Sequence, residues 1–381
     1  VRVLVAPDKF RGTLTAAEAA AAIAAGWRRA RPRDEIDTCP VADGGEGTMS
    51  ALVAALGGEV FGARVRGPLG DPVDASFGVV GRPDGRTAIV ESASASGLAL
   101  LASSRRDPLR AGTAGTGELI GSALDRGVAG LLLCVGGTAS NDGGAGMALA
   151  LGARLLRADG TRIGPGARGL VELATIDLAT LDPRIGRIPV DACVDVGNPL
   201  TGPSGASITF APQKGASPED IVVLDRALGH LAAVVLRDLG IDLRELPGAG
   251  AGGGLGFGAA AFLGARLRSG AELVAEVVGL EERLARADVV VTGEGRFDLQ
   301  SLGGKAPGTV IRLAGELGVR GVVLCGEVEP GIPERLPGRV VVVSLVERLG
   351  REAASADARR SLEELAATFA GRLDPDGGRD G

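Results

Sequence analysis

One stretch constrains this chain more than any other: Leu131-Leu132-Leu133-Cys134-Val135-Gly136-Gly137-Thr138-Ala139-Ser140-Asn141-Asp142-Gly143-Gly144-Ala145-Gly146-Met147. The apolar run reads as a buried strand, and it feeds a glycine-rich turn that opens a helix. Residues 136–146 hold five glycines, two hydroxyls, one amide and one carboxylate, and no positive charge. Glycine lets a backbone approach a ligand closely and adopt positive φ. Free N–H groups at the following helix start favour an anion. A strand delivered into such a turn predicts an α/β layer with a phosphate loop at a strand's carboxyl end. The cations and the chemistry must then come from elsewhere in the chain.

The same grammar recurs at both ends. An apolar strand over 1–6 runs into Pro7-Asp8-Lys9-Phe10-Arg11-Gly12-Thr13-Leu14. Thr15-Ala16-Ala17-Glu18 is a capping-box pattern that opens a helix to about residue 31, stopped by Pro32. A short strand over 36–40 leads to Val41-Ala42-Asp43-Gly44-Gly45-Glu46-Gly47-Thr48 and a helix to residue 56. From residue 60 the texture changes to short strands over 61–66, 73–80 and 87–92, joined by Gly-Pro and Pro-Asp-Gly turns. A helix over 117–126, a strand over 190–196 and a long helix over 218–239 follow. Alternation of strand and helix returns near 285, with strands over 287–292, 319–325 and 339–345 and a helix over 355–369. The polar tail 374–381 reads as frayed. Doubly wound texture at both ends predicts one discontinuous domain, 1–68 and 285–381, carrying an α/β insertion over 69–284.

Composition removes several classes of function. At 381 residues the chain is long enough for two or three domains. Aromatics are 2% and the formal net charge is −6, so neither a stacking platform nor a basic face for nucleic acid is expected. The cysteines at 39, 134, 193 and 325 form no C-x-x-C pair, and those at 134, 193 and 325 lie in apolar runs. They read as buried thiols in a reducing compartment. A single histidine, His230, cannot build a multi-histidine metal site. The longest uncharged run, 247–265, carries eight glycines and reads as a buried segment rather than a membrane span. No signal peptide is read at the start, and a cytoplasmic location is expected.

Phosphoryl transfer requires cations on the phosphates, a carboxylate-held Mg²⁺ and a base for the attacking hydroxyl. Asp43, Asp142, Asp195, Glu294 and Asp298 stand at strand ends or helix starts, and Lys9, Arg11, Lys214, Arg296 and Lys305 stand in similar loops. A helix cap or turn former is the competing reading for each carboxylate, most strongly for Asp142. No Walker A motif is present, since Gly303-Gly304-Lys305-Ala306 lacks the hydroxyl after Lys and the upstream glycine. Gly248, Gly250 and Gly253 match G-x-G-x-x-G, but Leu243-Arg244-Glu245-Leu246-Pro247 before them is not a strand. A tight loop-to-helix junction is therefore expected there instead of a dinucleotide site. The residues alone lead to an α/β enzyme handling a small anionic or phosphorylated ligand.

Taken together, the motifs resemble the type-1 glycerate kinase family. Ala6-Pro7-Asp8-Lys9-Phe10-Arg11-Gly12-Thr13-Leu14 is similar to that family's A-P-D-S/K-F-K-G-S-L, and residues 42–48 to its A-D-G-G-E-G-T. Residues 136–146 resemble G-G-S/T-A-T/S-N-D-G-G-A-G. Residues 195–203 with Pro212-Gln213-Lys214-Gly215 resemble D-V-x-N-P-L-x-G-P and G-P-Q-K-G. Residues 292–300 with Gly304-Lys305-Ala306-Pro307 resemble T-G-E-G-x-x-D-x-Q and G-K-x-P. Arg11 stands where many members have Lys, and Ala211 replaces the Gly before Pro-Gln-Lys-Gly.

The resemblance implies ATP-dependent, Mg²⁺-assisted phosphorylation of D-glycerate, with 2-phosphoglycerate as product. It implies a flavodoxin-like, Rossmann-like doubly wound domain from both chain ends, an insertion of restriction-enzyme-like topology, and a site in the cleft between them. By the same resemblance Asp195 is the expected base with Asp43 as rival, and Lys9 completes the catalytic set. Asp8, Lys9, Arg11 and Arg296 would take glycerate, and Asp43 and Glu294 the metal. Gly136, Gly137, Thr138, Ser140, Asn141, Asp142, Lys214 and Lys305 would take ATP phosphates. Neither nucleic acid nor membrane is expected as a partner, and a homo-oligomer is allowed. Phosphorylation at the 3-position, an NAD-dependent oxidoreductase and a non-catalytic small-anion-binding protein stand as the alternative readings.

Overall fold

The computed structural model describes residues 1–336, 338–351, 354 and 357–373. The polar tail 374–381 and the start of the last expected helix at Ser355 lie outside the described residues. The chain divides into two compact units. One comprises Val1–Asp43, Ser50–Gly57 and Gly270–Gly381; the other comprises Gly44–Met49 and Gly58–Ser269.

In the first unit, five strands lie in the order Val340–Ser344, Arg320–Cys325, Val289–Thr292, Arg2–Val5, Glu35–Thr38. Every pairing is parallel. Numbered along the chain within this unit, the order is 2-1-3-4-5, the flavodoxin-like arrangement. Val289–Thr292 is buried at every position, as a parallel strand covered on both faces must be. The helix Ala16–Ala30 starts with the expected box: the Thr15 hydroxyl accepts from the Glu18 N–H, and the Glu18 carboxylate accepts from the Thr15 N–H. This helix packs on Ala358–Ala370, and Gly26 permits the close approach, because a Cβ there would collide with the Glu363 carbonyl.

The second unit is built on a mixed six-stranded sheet in the order Arg266–Ser269, Val190–Val194, Gly130–Cys134, Gly85–Glu91, Pro72–Arg82, Glu59–Arg66. The first three junctions are parallel and the last two antiparallel. The helix Pro218–Leu239 starts on a second capping box, between Ser217 and Asp220, and stops at Gly240 in the left-handed region.

The expected domain limits at 68 and 285 are corrected by these pairings. Glu59–Arg66 is hydrogen-bonded along its length to Pro72–Arg82, so it belongs to the second unit's sheet. Gly270–Val277 and Leu280–Arg286 pack against Ala306–Glu316 and belong to the first unit.

The glycine run near 250 forms the tight junction expected of it. Gly252, Gly253 and Gly254 all take positive φ, at +63°, +69° and +84°. A Cβ on Gly252 would collide with the Val135 carbonyl, and one on Gly253 with the Ser140 carbonyl. The run is glycine-rich because it packs against the backbone of the 135–144 loop, so the nicotinamide-enzyme reading loses its motif. His230 bonds the Leu173 carbonyl through Nε2 at 2.7 Å. All four cysteines are buried free thiols. Among the described residues no helix is long and apolar enough to cross a membrane.

Trp27, the single tryptophan, is fully buried and donates from its indole N–H to Asp34 at 2.9 Å. Asp34 also accepts from Arg31 Nε at 2.8 Å. Asp34→Ala should therefore cost about 1–3 kcal/mol, because it strands a buried donor. Denaturant unfolding followed by Trp27 fluorescence reads this unit alone and checks that loss.

Candidate active site

In an open α/β sheet of this order, the strand direction of travel reverses between the first and third strands, and ligands bind at the carboxyl ends there. In the first unit those strands are Arg2–Val5 and Val289–Thr292. Two hydrogen bonds fasten their exits together. The Thr292 hydroxyl donates to the Ala6 carbonyl at 2.7 Å, and the Asp8 N–H donates to the Gly293 carbonyl at 2.8 Å. Asp8 leaves the first strand and Glu294 the third, and their relative exposures are only 4% and 8%.

Burial is the main force on both carboxyls. It pushes Asp8 up to about 6, helped by the neighbouring charge of Asp43 and opposed by Lys9, the Lys9 N–H and Lys305. That N–H lies 2.6 Å from the Asp8 carboxylate. Burial likewise pushes Glu294 up to about 7; Asp8 and Asp298 add to the rise, while the Ser301 hydroxyl and Lys305 oppose it. Asp8 is thus coupled to both Asp43 and Glu294. Lys9 Nζ stands 3.8 Å from Asp43 Oδ1. Lys305 occupies the cap position of Ala306–Glu316. Asp8, Lys9, Asp43, Glu294 and Lys305 therefore form one electrostatic group.

Arg11 is exposed, and Arg296 is exposed with its guanidinium 3.7 Å from Asp298. Asp298 caps the turn Leu299–Leu302 by accepting from the Gln300 and Ser301 N–H groups, which is the competing reading that the sequence offered for it.

Glu294 Oε1 is buried, and among the described residues it has no hydrogen-bond partner. An oxygen so placed suits a cation. Among the described residues no three His, Cys, Asp or Glu side chains gather as a protein-only metal cage. Mg²⁺ does not need one, since one or two carboxylates plus substrate phosphates serve it. The residues present fit that requirement.

In the second unit the 136–146 loop is held from inside. Asp142 is fully enclosed. Its Oδ2 accepts from the Thr113 N–H at 2.8 Å, the Thr113 hydroxyl at 2.9 Å and the Gly146 N–H at 3.1 Å, and its Oδ1 accepts from the Gly144 N–H at 3.2 Å. Those four donors occupy the carboxylate, so Asp142 braces the turn and is corrected from a phosphate contact to an internal support.

Lys214 is also inside. Its ammonium donates to the Ser140 carbonyl at 2.6 Å and to the Thr138 hydroxyl at 3.4 Å, and burial lowers its pKa to about 8. Lys214 too is corrected, from a phosphate cation to a prop beneath the loop. Thr138 donates to the Gly252 carbonyl at 2.9 Å, and Asn141 donates to the Ser207 hydroxyl at 3.1 Å. Thr138, Ser140 and Asn141 are buried, whereas Gly136 is half-buried and Gly137 exposed, so the accessible crest is 136–137. A Cβ on Gly136 would lie 3.7 Å from the Gly45 Cα, which puts the 44–48 turn beside that crest. Asp195 is exposed just beyond Val190–Val194.

Two buried side chains of note escaped the sequence reading. Ser301 opposes the upward push that burial gives Glu294, and Glu91 ends the strand Gly85–Glu91. A carboxylate closing an apolar strand at Ala88-Ile89-Val90-Glu91 was the available signal for the second.

The model of the glycerate kinase family matches residues 3–374. The chain belongs to the glycerate kinase family. It is 46% identical over 328 residues to the glycerate kinase of Bacillus subtilis (strain 168), covering 86% of this chain and 85% of that protein. It is 48% identical over 314 residues to the glycerate 2-kinase of Escherichia coli (strain K12), covering 82% of each. A crystal structure from Salmonella typhimurium LT2, provisionally named glycerate kinase 2, superposes with a TM-score of 0.86 at 41% identity over 97% of both chains. This family member is accordingly a small-molecule kinase, a phosphotransferase to an alcohol group.

The raised carboxyls also set a pH dependence. Glu294 and Asp8 hold protons more tightly folded than unfolded, so their contribution to stability is complete below about pH 4 and is lost as pH rises through about 6 and 7. Glu294→Gln keeps the shape and removes the charge. It should stabilise the ligand-free kinase at pH 8 by roughly 1–3 kcal/mol and leave it nearly unchanged at pH 5. Urea unfolding at the two pH values checks both arms.

Asp142→Ala leaves four donors without their acceptor and should cost about 3 kcal/mol or more in the second unit. Thermal unfolding checks that loss.

Proposed function

We propose that this kinase transfers the γ-phosphoryl group of ATP to D-glycerate and yields 2-phosphoglycerate. The observation that carries the reading is the pairing of Asp8 and Glu294, two buried carboxylates at the strand reversal, with Lys9 and Lys305 acting on them. The names of the Bacillus and Escherichia relatives support glycerate as the substrate and, from the second, transfer to the 2-position.

The roles follow from charge and placement. Lys9 and Arg11 take the glycerate carboxylate, with Arg296 in reach of solvent to draw the anion in. The Asp8 carboxyl accepts from a glycerate hydroxyl. Lys305, at a helix start, and the backbone crest at Gly136 and Gly137 take ATP phosphates. Glu294 and Asp43 would hold Mg²⁺, which when bound neutralises the charge on the transferring phosphoryl group. Asp195 takes the proton from the attacking hydroxyl, with Asp43 as the rival base. A cytoplasmic location goes with this reading.

A base contributes roughly 10²–10⁴-fold to turnover. Asp195→Asn should therefore reduce kcat by at least about 100-fold with the KM for ATP little changed. If Asp43→Asn does so and Asp195→Asn does not, the base is Asp43. ³¹P NMR of the product from ATP, Mg²⁺ and D-glycerate tests the reaction itself. The 2-phosphoglycerate resonance is expected; a 3-phosphoglycerate resonance would overturn the position, and no new phosphate ester would overturn the function.

A further inference from the structure

Two glycine-rich turns, 44–48 and 136–146, lie side by side in the second unit, where a Cβ on Gly136 would stand 3.7 Å from the Gly45 Cα. The segment that holds them both is 91–98. Glu91 Oε1 accepts from the Met49 N–H at 2.7 Å, across 42 residues of sequence. The next residue, Ser92, donates from its hydroxyl to the Gly136 carbonyl at 3.3 Å. Further along, the Leu98 N–H donates to the Gly137 carbonyl at 2.9 Å, and the Ala139 N–H donates to the Ser96 carbonyl at 2.9 Å. Glu91 is 9% exposed, Ser92 and Ser96 are fully buried, and the Ser96 hydroxyl is itself tied to Thr116 at 2.8 Å.

Met49 lies in the first turn of Thr48–Leu56, so its N–H is one of the amides that a helix leaves without an internal partner. The buried Glu91 carboxyl oxygen gives that amide the acceptor its own helix does not supply. The Thr48 hydroxyl donates to the Gly45 carbonyl at 2.7 Å and closes the turn on its other side. The turn is thus clasped at its carboxyl-terminal end by Glu91, one side chain from the residue that clasps Gly136.

We propose that Glu91 is a positioning residue for the phosphoryl transfer: through the Met49 amide it fixes the 44–48 turn against the 136–137 crest. This rests on the proposed function above. The Gln side chain keeps a carbonyl acceptor of the same reach, whereas Ala removes it. Glu91→Ala should lower kcat/KM for D-glycerate by at least about 30-fold, and Glu91→Gln should retain it within about 5-fold.

The chain contains two methionines, Met49 and Met147, so selective ¹⁵N-methionine labelling gives two amide resonances. The Met147 N–H donates to the Thr113 hydroxyl at 2.9 Å and serves as the internal control. In Glu91→Ala the Met49 resonance should move upfield and its hydrogen exchange accelerate at least about 10-fold, with Met147 unchanged. In Glu91→Gln its exchange should stay slow.

The proposal is overturned if the Met49 resonance and exchange in Glu91→Ala equal those of the wild type. It is equally overturned if the folded variant keeps wild-type kcat and KM. A wild type that consumes no ATP with D-glycerate, while Met49 responds as expected, would remove the assigned reaction and leave the clasp standing.

Discussion

The first unit depends on one fastening. Where its first and third strands leave the sheet, Thr292 and Asp8 donate to the backbone of the neighbouring strand exit. These bonds bring Asp8 and Glu294 into a common buried setting at the one place in a 2-1-3-4-5 sheet where the connections part and leave a crevice. Desolvation of two carboxylates is unfavourable there, and among the described residues no salt bridge to either repays it. The cost is borne because the neighbours are incomplete: Lys9 and Lys305 lower it, and one Glu294 oxygen has no protein partner. A site built for a cation and a phosphate is the kind that carries such an unspent group.

The second unit solves the opposite problem. Its glycine loop has to hold one conformation without any side-chain bulk of its own. Asp142 and Lys214 do this from beneath, the first by gathering four donors and the second by donating to the loop's own carbonyl. The glycine run at 252–254 lets a second backbone lie against the loop, since any Cβ there would meet it. What remains accessible is the 136–137 crest. The loop's polar side chains are thus engaged in holding it, and the crest is the part it exposes.

Much of the fold could be read from local pattern. Continuous apolar runs marked most of the parallel strands, though not Arg266–Ser269, and the capping box at Thr15 marked a helix start that the structure reproduces. The domain limits were less legible for a physical reason. Glu59–Arg66 alternates in burial like any half-exposed strand, and nothing local says which sheet it joins. Asp142 and Asp43 likewise stand in similar Asp-Gly-Gly turns, yet two of the four donors that enclose Asp142 come from Thr113, 29 residues away. Lys214 read as a loop cation, because its burial depends on the loop it supports. Glu91 carried no turn chemistry at all, since its partner amide is distant in sequence.

The central claim is that Asp8 and Glu294 share a buried setting prepared for a cation and an anionic substrate. Carboxyl ¹³C NMR of the ligand-free kinase over pH 3 to 9, with the two signals assigned by Asp8→Asn and Glu294→Gln, reads it most directly. Midpoints near 6 for Asp8 and near 7 for Glu294 are expected, and Mg²⁺ with ADP should draw the Glu294 midpoint downward. Midpoints for both in the ordinary carboxylate range near 4, indifferent to Mg²⁺ and ADP, would contradict it.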